Sequence, residues 1–168
     1  MLHLYCGEGK GKTTSALGLA MRASGRGLRV LFVQFLKNGS GGEIENLKSL
    51  PNITYMVYND ISCFTFAMSE TQKKECIAAN NGMIKQAAER AADFDMFVFD
   101  ELIGALDLGF ADRVLVFDFL RNNPNKEIVL TGRKPDSELL ETADYVSEIK
   151  SIKHPYNKGI KAREGIEF

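Results

Sequence analysis

Short apolar runs rich in β-branched and aromatic residues alternate along this chain with longer stretches of helical period. The runs read as strands over Leu2 to Cys6, Leu28 to Leu36, Ile53 to Tyr58, Met96 to Asp100, Glu127 to Thr131 and Tyr145 to Ile149. That alternation is the pattern of a mostly parallel sheet covered by helices, an α/β fold. One helix is predicted from Ser69, where Ser69-Glu70-Thr71-Gln72 has the form of a capping box, with Ile77, Ile84, Ala88 and Ala91 on its apolar face. Others are predicted from Thr13 to Ser24, closed by Gly25, and from Asp112 to Asn122, ahead of Pro124. The segment Lys37-Asn38-Gly39-Ser40-Gly41-Gly42 reads as a loop that follows a strand and closes over a substrate. The tail from Lys153 to Phe168 has little periodicity and is expected to pack as irregular structure.

A length of 168 residues, with no internal repeat and no linker, predicts one domain over residues 1–168. Basic and acidic residues nearly balance, 21 against 22, which gives no electrostatic reason to expect a nucleic-acid or membrane surface. Cys6, Cys63 and Cys76 are odd in number and lack Cys-x-x-Cys spacing, which disfavours a disulfide framework or a zinc cluster and suits a reducing cytoplasm. No basic stretch precedes an apolar one at the start, and no run approaches the roughly 18 residues of a membrane span. A soluble cytoplasmic protein is the expectation.

The chemistry concentrates first in Gly7-Glu8-Gly9-Lys10-Gly11-Lys12-Thr13-Thr14. Such a loop binds phosphate because its glycines let backbone N–H groups turn inward at the positive end of the following helix. Lys12 would reach the phosphates of ATP, and Thr13 would offer its hydroxyl to magnesium. The usual pattern places glycine where this chain has Cys6. Lys10 adds a cation that either lies near the phosphates or is solvated at the loop rim. Glu8 is awkward in an anion cradle unless it points to a ribose hydroxyl or outward.

The run Met96-Phe97-Val98-Phe99-Asp100-Glu101 ends an apolar strand in two carboxylates, which beside a P-loop hold magnesium or activate water. Alternatively, the acids mark only the return of the chain to solvent. Leu130-Thr131-Gly132-Arg133 brings a guanidinium toward the same sheet edge, as a phosphate partner or as an ordinary turn residue.

Taken in order, these motifs resemble one family, the P-loop ATP:corrinoid adenosyltransferases. The resemblance spans nearly the whole chain. It rests on Gly7 to Thr14, on Gly18-Leu19-Ala20-Met21-Arg22-Ala23, and on Val33-Gln34-Phe35-Leu36-Lys37. It continues through Phe64-Thr65-Phe66, Asp100-Glu101, Leu130 to Arg133, Lys153-His154-Pro155 and the ending Gly165-Ile166-Glu167-Phe168. The family also lacks glycine at the place of Cys6. The resemblance implies a three-layer, RecA-like P-loop fold. It implies transfer of the 5′-deoxyadenosyl group of ATP to the cobalt of a reduced cob(I) corrinoid, with release of triphosphate. ATP would then lie across the loop in the reverse of the usual direction.

By motif position, Lys12, Thr13 and Glu101 are the candidate catalytic residues, and Thr13, Asp100 and Glu101 the candidate magnesium set. The ATP site would comprise Gly7 to Thr14 with Arg22 and Arg133 as triphosphate partners, although Arg22 equally fits a helix surface. Phe64 and Phe66 would face the lower side of the corrin, or else serve as core residues. Phe66 stands where the family has Trp. An N-terminal segment that covers the site in relatives is expected to be missing here, leaving the site more open or closed from elsewhere, and Glu8 replaces an expected neutral polar residue. A homodimer and a flavoprotein reductant are implied partners. Two rival readings use the same loop: an ATPase or small kinase acting at the γ-phosphate, and a non-catalytic nucleotide or corrinoid carrier.

Overall fold

The computed structural model describes residues 1–39, 41–58 and 65–166. Within them six strands, β1 (Leu2–Cys6), β2 (Val30–Gln34), β3 (Ile53–Val57), β4 (Met96–Asp100), β5 (Glu127–Thr131) and β6 (Tyr145–Glu148), form one sheet. Every neighbouring pair is parallel, in the order β3-β2-β4-β5-β1-β6. Strand β5 therefore separates the strand that feeds the glycine loop from the strand that ends in Asp100.

Alternation of side chains across the pleat divides the core in two. On one face Phe32, Val98 and Val129 pack with Ala16 and Ala20 of α1 (Lys12–Ser24) and with Ile44 and Leu47 of α2 (Glu43–Ser49). On the other, Leu4, Val33, Phe97, Phe99 and Leu130 meet α3 (Glu70–Glu89), α4 (Leu102–Asp107), α5 (Arg113–Asn122) and α6 (Ser137–Thr142). The small Ala16 and Ala20, one helical turn apart, let α1 lie close over the middle of the sheet. Phe97 and Phe99 both meet the Phe119 ring edge-on at 5.0 Å. Burial of each such ring contributes roughly 2–3 kcal/mol, with a further ~1 kcal/mol from a favourable ring pair.

Several expectations change in detail. Strand β2 is shorter than the apolar run from Leu28 to Leu36. Arg29 leaves the strand to donate from its backbone and guanidinium to Asp95 at 2.9–3.1 Å, and Leu36 turns the chain with φ 55°. The capping box at Ser69 is present, but the buried face of α3 is Cys76, Asn80, Met83, Ile84 and Ala87. Ala88 is exposed and Ala91 lies beyond the helix. Asn80 hid that face from the apolar pattern; it is buried, with its amide nitrogen donating to Phe110 O at 2.9 Å. The short helices α2, α4 and α6 were not anticipated. The tail is irregular apart from a 3₁₀ turn at Pro155–Lys158, and residues 151–166 are exposed rather than packed.

Candidate functional site

The glycine loop joins β1 to α1 at the carboxyl edge of the sheet, where ligands bind in open α/β folds. Gly7 has φ 101°, and a Cβ there would lie 2.5 Å from Ile149 O; one on Gly9 would lie 2.7 Å from the same oxygen. Both positions exclude any side chain. Their amides do not turn inward as the sequence suggested. Gly7 N donates to Arg133 O at 2.9 Å and Gly9 N to Ile149 O at 2.7 Å, so these two glycines anchor the loop to the ends of β5 and β6. The anion-attracting part is the start of α1, where Gly11 (φ 122°) caps the helix with no side-chain hydrogen bond. The first amides of α1 and its dipole are thus directed at the loop. Lys12 Nζ curls over the loop to donate to Gly9 O at 2.9 Å. Thr14 is exposed beyond it.

Lys10 Nζ donates to Ile166 O at 2.8 Å, which ties the loop rim to the tail. Glu8 turns outward and accepts from Arg133 Nη1 at 3.1 Å, both side chains being more than half exposed. Arg133 therefore stands beside the loop. Arg22 does not: it lies exposed in the last turn of α1, ten residues beyond Lys12 and about 15 Å along the axis at the α-helical rise. Its charge acts on Tyr5 instead.

Asp100 organises the opposite wall. It is wholly buried, and a buried carboxylate is tolerated only when its oxygens are satisfied. Oδ1 accepts from Thr13 Oγ1 at 2.9 Å and Thr131 Oγ1 at 2.7 Å; Oδ2 accepts from Gln34 Nε2 at 3.1 Å and Lys37 Nζ at 2.7 Å. The strand order makes this possible, since Gln34 is the β2 partner of Asp100 and Thr131 ends the adjacent β5. Lys37 Nζ also donates to Thr13 Oγ1 at 3.1 Å. Behind Gln34, Tyr55 OH donates to its Oε1 at 2.7 Å, and burial pushes the Tyr55 phenol up so that it stays a donor, with Glu43 and Asp100 adding to the effect.

Glu101 sits at the lip with a left-handed backbone, φ 64°, held by its own N–H donating to Thr131 Oγ1 at 2.8 Å. Such a conformation in a non-glycine residue costs about 1–3 kcal/mol and marks functional sites. Burial raises the Glu101 pKa, and neighbouring Asp100 raises it further, against the lowering pull of Lys37, Lys12 and Arg133. Cys6, at the place of the usual first glycine, is the last residue of β1; burial and Glu148 raise its thiol, which disfavours a nucleophilic thiolate.

Among the described residues no group of three His, Cys, Asp or Glu forms a metal cluster. The Thr13 hydroxyl with Asp100 and Glu101 is a hard-oxygen set of the kind magnesium uses when phosphates and water complete its shell. Phe66 is 85% exposed on a 3₁₀ turn, Thr65–Ala67, which excludes a core role for it. Phe64 and Cys63 lie outside the described residues. Lys37, Gln34, Thr131 and Tyr55 also belong to the site, beyond the residues expected there. Polar Gln34 closing the apolar run Val30–Gln34 was the available signal.

A family model described as ATP:corrinoid adenosyltransferase BtuR/CobO/CobP matches residues 1–168. A corrinoid adenosyltransferase of Pseudomonas aeruginosa is 37% identical, across 100% of this chain and 83% of its own length. The corrinoid adenosyltransferase CobA of Salmonella typhimurium is 34% identical and that of Escherichia coli 33%, each across 98% of this chain and 84% of its own. In fold the chain is similar to a KaiC-like protein of Pyrococcus horikoshii, with a TM-score of 0.54 and 16% identity over 89% of this chain and 71% of that one. With the expected motifs in order along a P-loop fold and full-length relatives above 30% identity, the chain belongs to the ATP:corrinoid adenosyltransferase family.

Proposed function

We propose that this protein transfers the 5′-deoxyadenosyl group of ATP to the cobalt of a cob(I) corrinoid. The observation that carries the reading is the joining of Lys12, Thr13, Asp100 and Glu101 at one sheet edge in a chain of this family. In the reaction the cobalt lone pair attacks C5′, a Co–C bond forms, the C5′–O bond breaks, and the electron pair leaves with triphosphate. No proton has to be removed from the nucleophile. The work left to the protein is orientation and stabilisation of the growing charge on the leaving group.

The first turn of α1 and Lys12 supply fixed positive potential to that group, and Arg133 is near enough to the loop to add a further cation. Thr13, Asp100 and Glu101 would hold magnesium, which neutralises triphosphate charge when bound. Phe66, with Phe64, would present apolar rings to the lower corrin face. A homodimer, a flavoprotein that supplies the reduced corrinoid, and a cytoplasmic location complete the proposal. Among the described residues no helix is long and apolar enough to cross a membrane.

The test is incubation with Mg-ATP and chemically reduced cobalamin or cobinamide without oxygen. A light-sensitive alkylcorrinoid with equimolar triphosphate is expected. Orthophosphate with no alkylation would favour the ATPase reading instead.

A further inference from the structure

Lys37 is held in the wall of the site by two oxygens. Its ammonium is 2.7 Å from Asp100 Oδ2 and 3.1 Å from Thr13 Oγ1. The Thr13 hydroxyl gives its own proton to Asp100 Oδ1, so Lys37 donates into the lone pairs of that hydroxyl. Those lone pairs are what a divalent cation would ligate, at about 2.1 Å for magnesium. An ammonium and a metal ion compete for the same oxygen, and their like charges repel at such range.

The other partners of Asp100 are fixed. Gln34 and Thr131 are buried in adjacent strands, and Tyr55 holds Gln34 from behind. Lys37 differs: its side chain is 35% exposed, it ends a flexible four-carbon stem, and its backbone follows the left-handed Leu36 (φ 55°) outside β2. It can leave without breaking the sheet.

We propose that Lys37 is an exchangeable internal cation of the metal site. It neutralises buried Asp100 and occupies Thr13 until a divalent cation arrives with triphosphate, and then its ammonium transfers to the anionic phosphates. Lys37 thereby makes metal binding conditional on nucleotide. This inference rests on the magnesium assignment made under the proposed function.

The experiment measures Mn²⁺ affinity of the full chain from the free-ion electron paramagnetic resonance signal, with and without the β,γ-imido analogue of ATP. Without nucleotide, Lys37→Met should bind Mn²⁺ on the order of tenfold tighter than wild type, the scale of a typical coupling between two sites. Lys37→Arg, which restores the charge, should match wild type. With the analogue the difference should shrink, because the phosphates draw Lys37 away. Circular dichroism checks that each variant is folded; if Lys37→Met is not, Lys37→Gln takes its place.

If Mn²⁺ binds the neutral variant no tighter than wild type, binding by neither included, the exchange is overturned. If Arg and Met variants change alike, charge is not the cause and the exchange is likewise overturned. Thr13→Val distinguishes loss of the metal site from loss of the exchange at Lys37. Loss of Mn²⁺ with the analogue in Thr13→Val supports the metal assignment whatever Lys37 does, whereas unchanged affinity there removes that assignment and the exchange with it.

Discussion

Asp100 is a fully buried anion whose two oxygens accept from Thr13, Thr131, Gln34 and Lys37. Removing its charge leaves the Lys37 ammonium half-buried without its partner and turns an amide N–H toward donors. Asp100→Asn should therefore lower stability by about 3 kcal/mol in urea unfolding, the scale of a broken buried pair; a midpoint unchanged from wild type would contradict that account. Lys12 should matter to function rather than folding, since its ammonium donates to the Gly9 carbonyl within the same loop. Lys12→Ala is expected to cut turnover about 10²–10³-fold, as loss of one preorganised donor does, with an unchanged urea midpoint. Glu101 makes a pH-dependent contribution. Its raised pKa means the folded state binds the proton more tightly than the unfolded one, so stability is lost as pH rises from the ordinary value of 4.5 through the raised one. Glu101→Gln should consequently gain in melting temperature over wild type as pH climbs through that window, and a difference independent of pH would refute the assignment. Lys12, Thr13, Asp100 and Glu101 were legible in the sequence because a P-loop and an acid-ended strand have fixed spacing. Lys37 and Gln34 were not, because the hydrogen bonds that recruit them reach Asp100 from the turn after β2 and from the end of β2, and the β2–β4 pairing that brings them there is not set by local spacing.

At the scale of elements, the site is built by two close approaches. The end of β6 presses on the loop at Ile149, and the start of α4 presses on Gly132, whose φ is 155° and whose added Cβ would lie 2.6 Å from Ile103 Cβ and 2.7 Å from Gly104 N. Gly132→Ala should cost about 1–3 kcal/mol by overpacking and also displace Arg133; a fully stable variant would show that α4 has room to retreat. The sheet was legible almost strand for strand: β2, β4 and β5 are buried, largely apolar runs bounded by turns, β1 alternates buried and half-buried positions, and the exposed edge strand β6 shows only the short Tyr145-Val146 signal. The short helices were not, for different reasons. Gly104 weakens the helical signal of α4, and α2 follows a glycine-rich stretch that reads as loop. Helix α6 is set by Asp136, whose side chain accepts from Leu139 N at 2.9 Å, a cap that only six residues support.

For the whole molecule, the order β3-β2-β4-β5-β1-β6 brings the ends of β2, β4, β5 and β1 together around one group of side chains. Ligand that binds this folded edge must stabilise the fold by linkage, about 2.7 kcal/mol at a hundred times the dissociation constant. Mg-ATP should raise the melting temperature of wild type and not of Lys12→Ala. The proposed homodimer predicts a light-scattering mass of twice 18.7 kDa, and a mass of one chain would exclude it under those conditions. What sets this reaction apart from ATP hydrolysis is the chemistry at C5′. It is tested most directly by identifying the phosphate product formed from Mg-ATP in the presence of a cob(I) corrinoid under anaerobic conditions. Triphosphate appearing mole for mole with alkylcorrinoid is the predicted result; orthophosphate with the corrinoid unchanged would contradict it.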